Sequence, residues 1–288
     1  MSARKADRIA TFVFTLLGFI SIGILLFIIL EVLGRGLLTA INPKFFLGKP
    51  EAMNPGGGIL PMIVSSLYLA VLTLIVALPI SVGAAIYMAE FARKGRLVSS
   101  IRFSLDSLAT LPSIVFGLFG MTLFVVYFRW GMALMAGAFT LALLNLPILL
   151  RSTEEAIKLV PQTYREASMS LGASRWTTIR QIVIPSAMPG IITATILPIG
   201  RIMGESAAIV LTVGTFIRNI PVNPFSMGAP LAGYIWFAQS EGLTPDYRKI
   251  VNGGAAFLLL LVLVVYFLAR YAGRKYQEKK LMGARDGK

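Results

Sequence analysis

Ile9-Ala-Thr-Phe-Val-Phe-Thr-Leu-Leu-Gly-Phe-Ile-Ser-Ile-Gly-Ile-Leu-Leu-Phe-Ile-Ile-Leu30 contains no charged residue over 22 positions. As an α-helix it extends roughly 33 Å, enough to cross a hydrocarbon core of about 30 Å. Five more uncharged runs follow: Ala52–Ala89, Ser107–Phe128, Trp130–Leu150, Gln181–Gly200 and Ile250–Ala269. In the second, Met53-Asn-Pro-Gly-Gly-Gly58 has the chemistry of a loop, so its span begins near Ile59 and ends near Glu90, with Pro79 at a kink. The fifth span starts near Pro185 and continues past Arg201 and Glu205 to about Val213. The sequence therefore predicts an all-α, polytopic membrane protein with six transmembrane helices. Arg4, Lys5 and Arg8 before the first run raise the possibility of a signal peptide. The apolar core is too long for one, and no clear small-x-small cleavage site follows. It is read as an uncleaved span.

Composition agrees. Of 288 residues, 56% are hydrophobic and 14% charged, against about a quarter charged in soluble domains, and the mean hydropathy is +0.78. Cysteine and histidine are absent, which excludes disulfides, Cys/His metal sites and thiol or imidazole catalysis. The net charge of +14 would suggest nucleic acid in a soluble protein. Here the basic residues flank the apolar runs, which points to a membrane surface and no nucleic-acid partner.

Their distribution sets an orientation. The N-terminal arm, Arg93–Arg102, Arg151–Arg180 and the tail from Arg270 together hold nineteen Lys and Arg; the alternate set of ends holds seven. Both termini are then cytoplasmic. The chain divides into a cytoplasmic arm (1–8), a first helix with an outer loop (9–58), a five-helix core (59–270) that includes a cytoplasmic loop (151–185), and a basic tail (271–288). In the outer loop after Gly214, apolar Leu231–Ala238 is expected as a short interfacial or re-entrant helix.

The cytoplasmic loop is not a plain linker. It contains Pro161-Gln-Thr-Tyr-Arg-Glu-Ala-Ser-Met-Ser-Leu-Gly-Ala-Ser-Arg-Trp-Thr-Thr-Ile-Arg-Gln-Ile-Val-Ile-Pro185. Pro161 suits a helix start. Gly172 after Leu171 reads as a left-handed helix end. Ser174 can cap a second helix, Arg175 to about Val183. The product is an elbow with apolar Leu171, Trp176 and Ile179 among basic residues, a form that fits a groove on a partner. An interfacial helix without a partner is the plainer alternative.

Glu166-Ala167, then Gly172 six residues on, Ile182 sixteen on and Pro185 nineteen on resembles the EAA loop of ABC importer permeases. Gly56-Gly-Gly-Ile-Leu-Pro61, Ile86-Tyr-Met-Ala-Glu-Phe91, Leu111-Pro-Ser-Ile-Val-Phe-Gly-Leu-Phe119, Leu146-Pro-Ile-Leu-Leu-Arg-Ser-Thr-Glu-Glu155 and Gly200-Arg-Ile-Met-Gly-Glu-Ser206 are similar to phosphate importer permeases of PstA type. The resemblance implies a type I (MetI-like) permease core in a bacterial or archaeal cytoplasmic (inner) membrane. It implies a sister permease of PstC type, a cytoplasmic ABC ATPase dimer that holds ATP and Mg, and an extracytoplasmic phosphate-binding protein. It assigns Glu166, Ala167, Gly172, Ala173, Ile182 and Pro185 to contact with the ATPase. This chain has no Gly-x-x-x-x-Gly-Lys-Ser/Thr phosphate loop, so no cofactor is expected in it.

Candidate substrate residues are Arg201, Glu205, Ser65 and Ser66. Arg201 and Glu205 are an acid–base pair inside a span, placed in its outer half and four residues apart on one helix face. A guanidinium grips a phosphate oxygen pair with two hydrogen bonds; a packing salt bridge is the alternative. Ser65 and Ser66 are expected near the outer mouth as hydroxyl donors, or else as helix serines bonded to their own backbone. Asn145 is expected to bond between helices and Asp106 to be a solvated cap. Gly190, Ala194, Gly200 and Gly204 permit close helix packing. Rival functions are import of another tetrahedral oxyanion such as sulfate or molybdate, ion-coupled secondary transport, and membrane enzymology. For the last, the spans hold no carboxylate pair, metal cluster or nucleophile–base set.

Overall fold

The computed structural model describes residues 3–51, 56–92, 95–242 and 244–283. The turn residues Met53, Asn54 and Pro55, the basic residues Arg93 and Lys94, and positions 1–2 and 284–288 lie outside them. Among the described residues every regular element is helical. In order these are α1 (Ala3–Ala40), a single turn α2 (Pro43–Phe46), α3 (Leu60–Ile86), α4 (Arg96–Thr110), α5 (Ser113–Gly120), α6 (Leu134–Lys158), α7 (Gln162–Ser170), α8 (Arg175–Thr178), α9 (Ile184–Gly204), α10 (Ala207–Thr212), α11 (Leu231–Glu241) and α12 (Tyr247–Gly283). Three wide π turns extend them: Tyr87–Phe91 after α3, Met121–Tyr127 after α5, and Ile179–Val183 between α8 and α9.

Among the described residues five helices are long and apolar enough to span a bilayer: Asp7–Ala40, Leu60–Phe91, Leu134–Lys158, Arg175–Gly204 and Tyr247–Lys275. The third expected span, Ser107–Phe128, is not one rod. Arg96–Thr110 and Ser113–Tyr127 meet at an angle of 101°. Pro112 explains the corner, because a proline drives the residue before it out of the helical region, and Leu111 is extended at φ −69°, ψ 137°. The uncharged run from Ser107 thus belongs in part to α4, whose one buried residue is Leu105.

The fifth span also departs from expectation at both ends. It ends at Gly204 rather than near Val213, because Glu205 is extended (φ −69°, ψ 131°) and a new short helix starts after Ser206. At its other end it has no boundary near Pro185. Residues Arg175–Gly204 are continuous, and the second arm of the elbow is the first turn of the span. Pro185 has no N–H to give, and its ring crowds the carbonyl one turn back. The π turn just ahead, in which the Ile184 N–H bonds the Ile179 carbonyl, widens the helix at that point. Pro79 stays inside α3, the expected short helix after Gly214 appears as α11, and α12 continues through the expected tail to Gly283.

Among the described residues, the three largest buried clusters hold the bundle. The middle one joins Leu69 and Leu72 of α3, Leu134, Leu141 and Leu144 of α6, Ile202 and Met203 of α9, and Ala208 and Ile209 of α10. A second, at the end carrying the elbow, holds Ala85, Leu105, Ile157, Val160, Val183 and Ala187. A third, at the opposite end, holds Phe45, Met62, Leu231, Tyr234 and Ile250. Small residues set close approaches: a methyl on Gly190 would lie 2.8 Å from the Ala156 Cβ, and one on Gly200 3.4 Å from Val262, whereas Gly204 faces open space. Among the described residues α1 packs mainly on α12, near the C-terminal end of α1, where Gly253 is seated on Thr39, while residues 7–28 of α1 are exposed.

Candidate functional site

The elbow forms as its sequence dictates. α7 closes where Gly172 takes φ +82°, a conformation that a side chain would strain. Ser174 then caps α8, its Oγ accepting the Thr177 N–H at 3.2 Å. The buried hydroxyls of Ser168 and Thr178, 2.9 Å apart, brace the two arms. Outside the corner, Leu171 is 89% and Trp176 57% exposed, with Tyr164 and Met169 beside them. Glu166, Ala167 and Gly172 lie on this exposed elbow, and Ala173 is half-buried at its corner. Ile182 and Pro185 are half-buried farther along the helix that leaves it.

What the sequence did not disclose is how the elbow is held. The Arg165 guanidinium donates to Glu90 Oε1 from Nη2 at 2.7 Å and Nε at 3.1 Å, and to the carbonyls of Val160 at 2.6 Å and Ile157 at 3.1 Å. Arg175 donates to the Glu90 carbonyl and stacks over the Phe91 ring at 5.1 Å. Glu90 sits on the π turn that ends the second span, so one residue ties that span to both arms of the elbow: its buried carboxylate holds Arg165 and its backbone carbonyl holds Arg175. The parts enclose a cavity of about 630 Å3 lined by Glu90, Val160, Arg165, Met169, Arg175 and Ile179. A second network ties α4 to α6: Glu154, itself buried, accepts from Arg102 at 2.6 Å and Lys158 at 2.7 Å. Asp106, expected as a solvated cap, pairs with Arg151.

The proposed charged face of span five is corrected. Arg201 lies in the last turn of α9, while Glu205 is beyond the helix end, so they do not share a face and form no salt bridge. Arg201 is exposed and in no ion pair among the described residues; Glu205 is half-buried. Gly200 packs on Val262, roughly 12 Å along α12 from Arg270 and roughly 20 Å from Lys249. Arg201 is therefore near the middle of the bundle rather than in an outer half. It stands roughly 40 Å from Arg175 along one uninterrupted helix.

Ser65 and Ser66 are fully buried. Their hydroxyls donate to the carbonyls of Pro61 (2.7 Å) and Met62 (3.0 Å) and accept the N–H groups of Ala229 (3.4 Å) and Leu231 (2.8 Å). They anchor the start of α11 and present no hydroxyl to a pathway. Asn145 bonds within its own helix, to the Leu141 carbonyl at 2.8 Å, and not to another.

A continuous rod thus runs from a surface elbow to a broken helix at mid-bundle. Residues 77–278 match the family of binding-protein-dependent transport system inner membrane components. The chain belongs to this family of ABC importer permeases. The permease is 36% identical over 291 residues to a probable ABC transporter permease protein, YqgI, of Bacillus subtilis, covering 97% of this chain and 99% of that one. It is 33% identical over 239 residues to the phosphate transport system permease protein PstA of Pasteurella multocida, covering 81% and 82%. Among solved structures, the fold is shared with the bacterial alginate ABC transporter in complex with its alginate-bound periplasmic protein (TM-score 0.62, 16% identity, 94% of each chain). It is also shared with the inward-facing MetNI methionine ABC transporter (TM-score 0.56, 18% identity, 76% of this chain and 94% of that one). The permease is thus a multi-pass inner-membrane component of a binding-protein-dependent transport system, and such components are not themselves enzymes.

Proposed function

We propose that the permease is one of two membrane subunits of an ATP-driven importer of inorganic phosphate. The elbow end faces the cytoplasm, together with both termini, and seats Leu171 and Trp176 in a groove of an ABC ATPase dimer that binds ATP and Mg. A phosphate-binding protein delivers substrate at the opposite end. A sister permease of PstC type completes the path.

Arg201 carries this reading. An unpaired, exposed guanidinium at mid-bundle is costly against lipid, by several kcal/mol, and needs water or protein beside it. A second permease subunit enclosing a wet path supplies both. The guanidinium then offers a forked donor to a tetrahedral oxyanion. Because α8, the π turn and α9 are one helix, movement of the elbow moves Arg201 with it. The 33% identity to a phosphate permease supports phosphate over sulfate or molybdate, which Arg201 alone does not separate. Glu205, displaced past the helix end, is left beside the path as a negative group that favours release of a dianion.

Uptake of labelled phosphate and labelled sulfate in a strain lacking this chain tests the proposal. Loss of phosphate uptake with sulfate uptake intact is the expected result. Intact phosphate uptake with sulfate lost overturns the choice of substrate.

A further inference from the structure

Between α9 and α12, at the elbow end, lies a notch of about 420 Å3 lined by Thr193, Leu197, Tyr266, Arg270 and Arg274. Its floor is a close approach: a methyl on Gly273 would lie 2.9 Å from Ile192. Arg270 and Arg274, four apart, project from one face of α12. Both are exposed, and neither is in an ion pair or side-chain hydrogen bond among the described residues. Arg102, Arg151, Lys158 and Arg165, at the same end, are all paired with carboxylates. In sequence, residues 270–280 hold five basic residues against one acid, Glu278.

Two further observations choose the ligand. Arg270 is 21 residues past Lys249, roughly 32 Å along α12, which places it at the edge of the hydrocarbon core. Beside the notch, Leu197 (71%) and Phe267 (64%) are exposed apolar side chains. A free anion has no use for such a flank. An amphiphile with an anionic phosphate head and acyl chains matches both parts.

The geometry points to a binding site for one anionic phospholipid, its phosphate between Arg270 and Arg274 and its chains along Leu197 and Phe267. Bound there, the lipid bridges α12 to the helix that runs from elbow to Arg201. The site rests on the proposed orientation only in that the headgroup belongs to the cytoplasmic leaflet.

Native mass spectrometry of the purified full chain, released from micelles doped with phosphatidylglycerol or phosphatidylcholine, tests it without any transport assay. Its outcome is therefore independent of the substrate reading. The unaltered chain is expected to retain phosphatidylglycerol under activation that strips phosphatidylcholine. Arg270→Gln with Arg274→Gln is expected to lower that retention roughly tenfold, while Arg180→Gln, another exposed basic residue at that end, leaves it unchanged. Arg270→Lys with Arg274→Lys keeps the charge and part of the retention. Equal retention of the two lipids by the unaltered chain overturns the site, as does equal phosphatidylglycerol retention by the double glutamine variant. Displacement of the lipid by millimolar inorganic phosphate alone assigns the notch to free phosphate and also overturns it.

Discussion

Arg165→Ala should release the elbow from the second span. The side chains of Arg165 and Glu90 are 13% and 8% exposed, so their pair is close to fully desolvated. Removing one partner of such a pair costs about 3–5 kcal/mol, because the other charge stays buried and unpaired. Here the change also strips donors from the Val160 and Ile157 carbonyls. At 1.4 kcal/mol per decade, the equilibrium between docked and released elbow shifts by roughly two to three and a half decades. Hydrogen exchange of residues 162–178 in the full chain reads that shift directly, as faster exchange by the same factor. Glu90→Gln should act in the same direction, and a double-mutant cycle should return a coupling of about 1 kcal/mol or more. Replacing both by apolar residues, Glu90→Leu with Arg165→Met, should restore much of the protection. Exchange in the Arg165→Ala chain within about threefold of the unaltered chain, well under one decade, would refute the assignment of this pair as the clamp.

Arg201→Gln should abolish phosphate uptake while the chain still assembles in the membrane; normal uptake by that variant counts against a place on the path. Gly172→Leu puts a side chain at φ +82°, a strain of about 1–2 kcal/mol, and should uncouple substrate-stimulated ATP hydrolysis with the spans intact. Unchanged stimulation would contradict docking through the elbow. Ser66→Ala leaves the buried Leu231 N–H without its acceptor, so thermal stability should fall by about 1–3 kcal/mol with the KM for phosphate unmoved. A raised KM at unchanged stability would return Ser66 to the substrate path.

The fold was legible where the physics is local. Uncharged runs gave the spanning helices, because burying a charge in hydrocarbon is costly over any 20-residue window. Gly172 and Ser174 gave the elbow, because a left-handed turn and an N-cap need particular residues. The corner at Leu111 and Pro112 was hidden inside a run that is apolar on both sides of it. The end of α9 was hidden too, since Gly204-Glu-Ser206 has no proline and a four-residue charge spacing invites a continuous helix. Nonlocal bonds left almost no trace. Glu90 and Arg165 are 75 residues apart, and Ser66 meets Leu231 across 165. Glu90 lies in one of the stretches that carried the family resemblance, and the opposite sign of Arg165 was the one hint available.

The account depends most on the elbow facing a cytoplasmic partner. The chain has no cysteine, so Leu171→Cys gives a single thiol at the most exposed apolar point of the elbow. A membrane-impermeant maleimide should leave this thiol unlabelled in intact cells and label it in inverted vesicles, with the label blocked when the ATPase is bound. Labelling from outside in intact cells, or labelling unaffected by the ATPase, would contradict the claim.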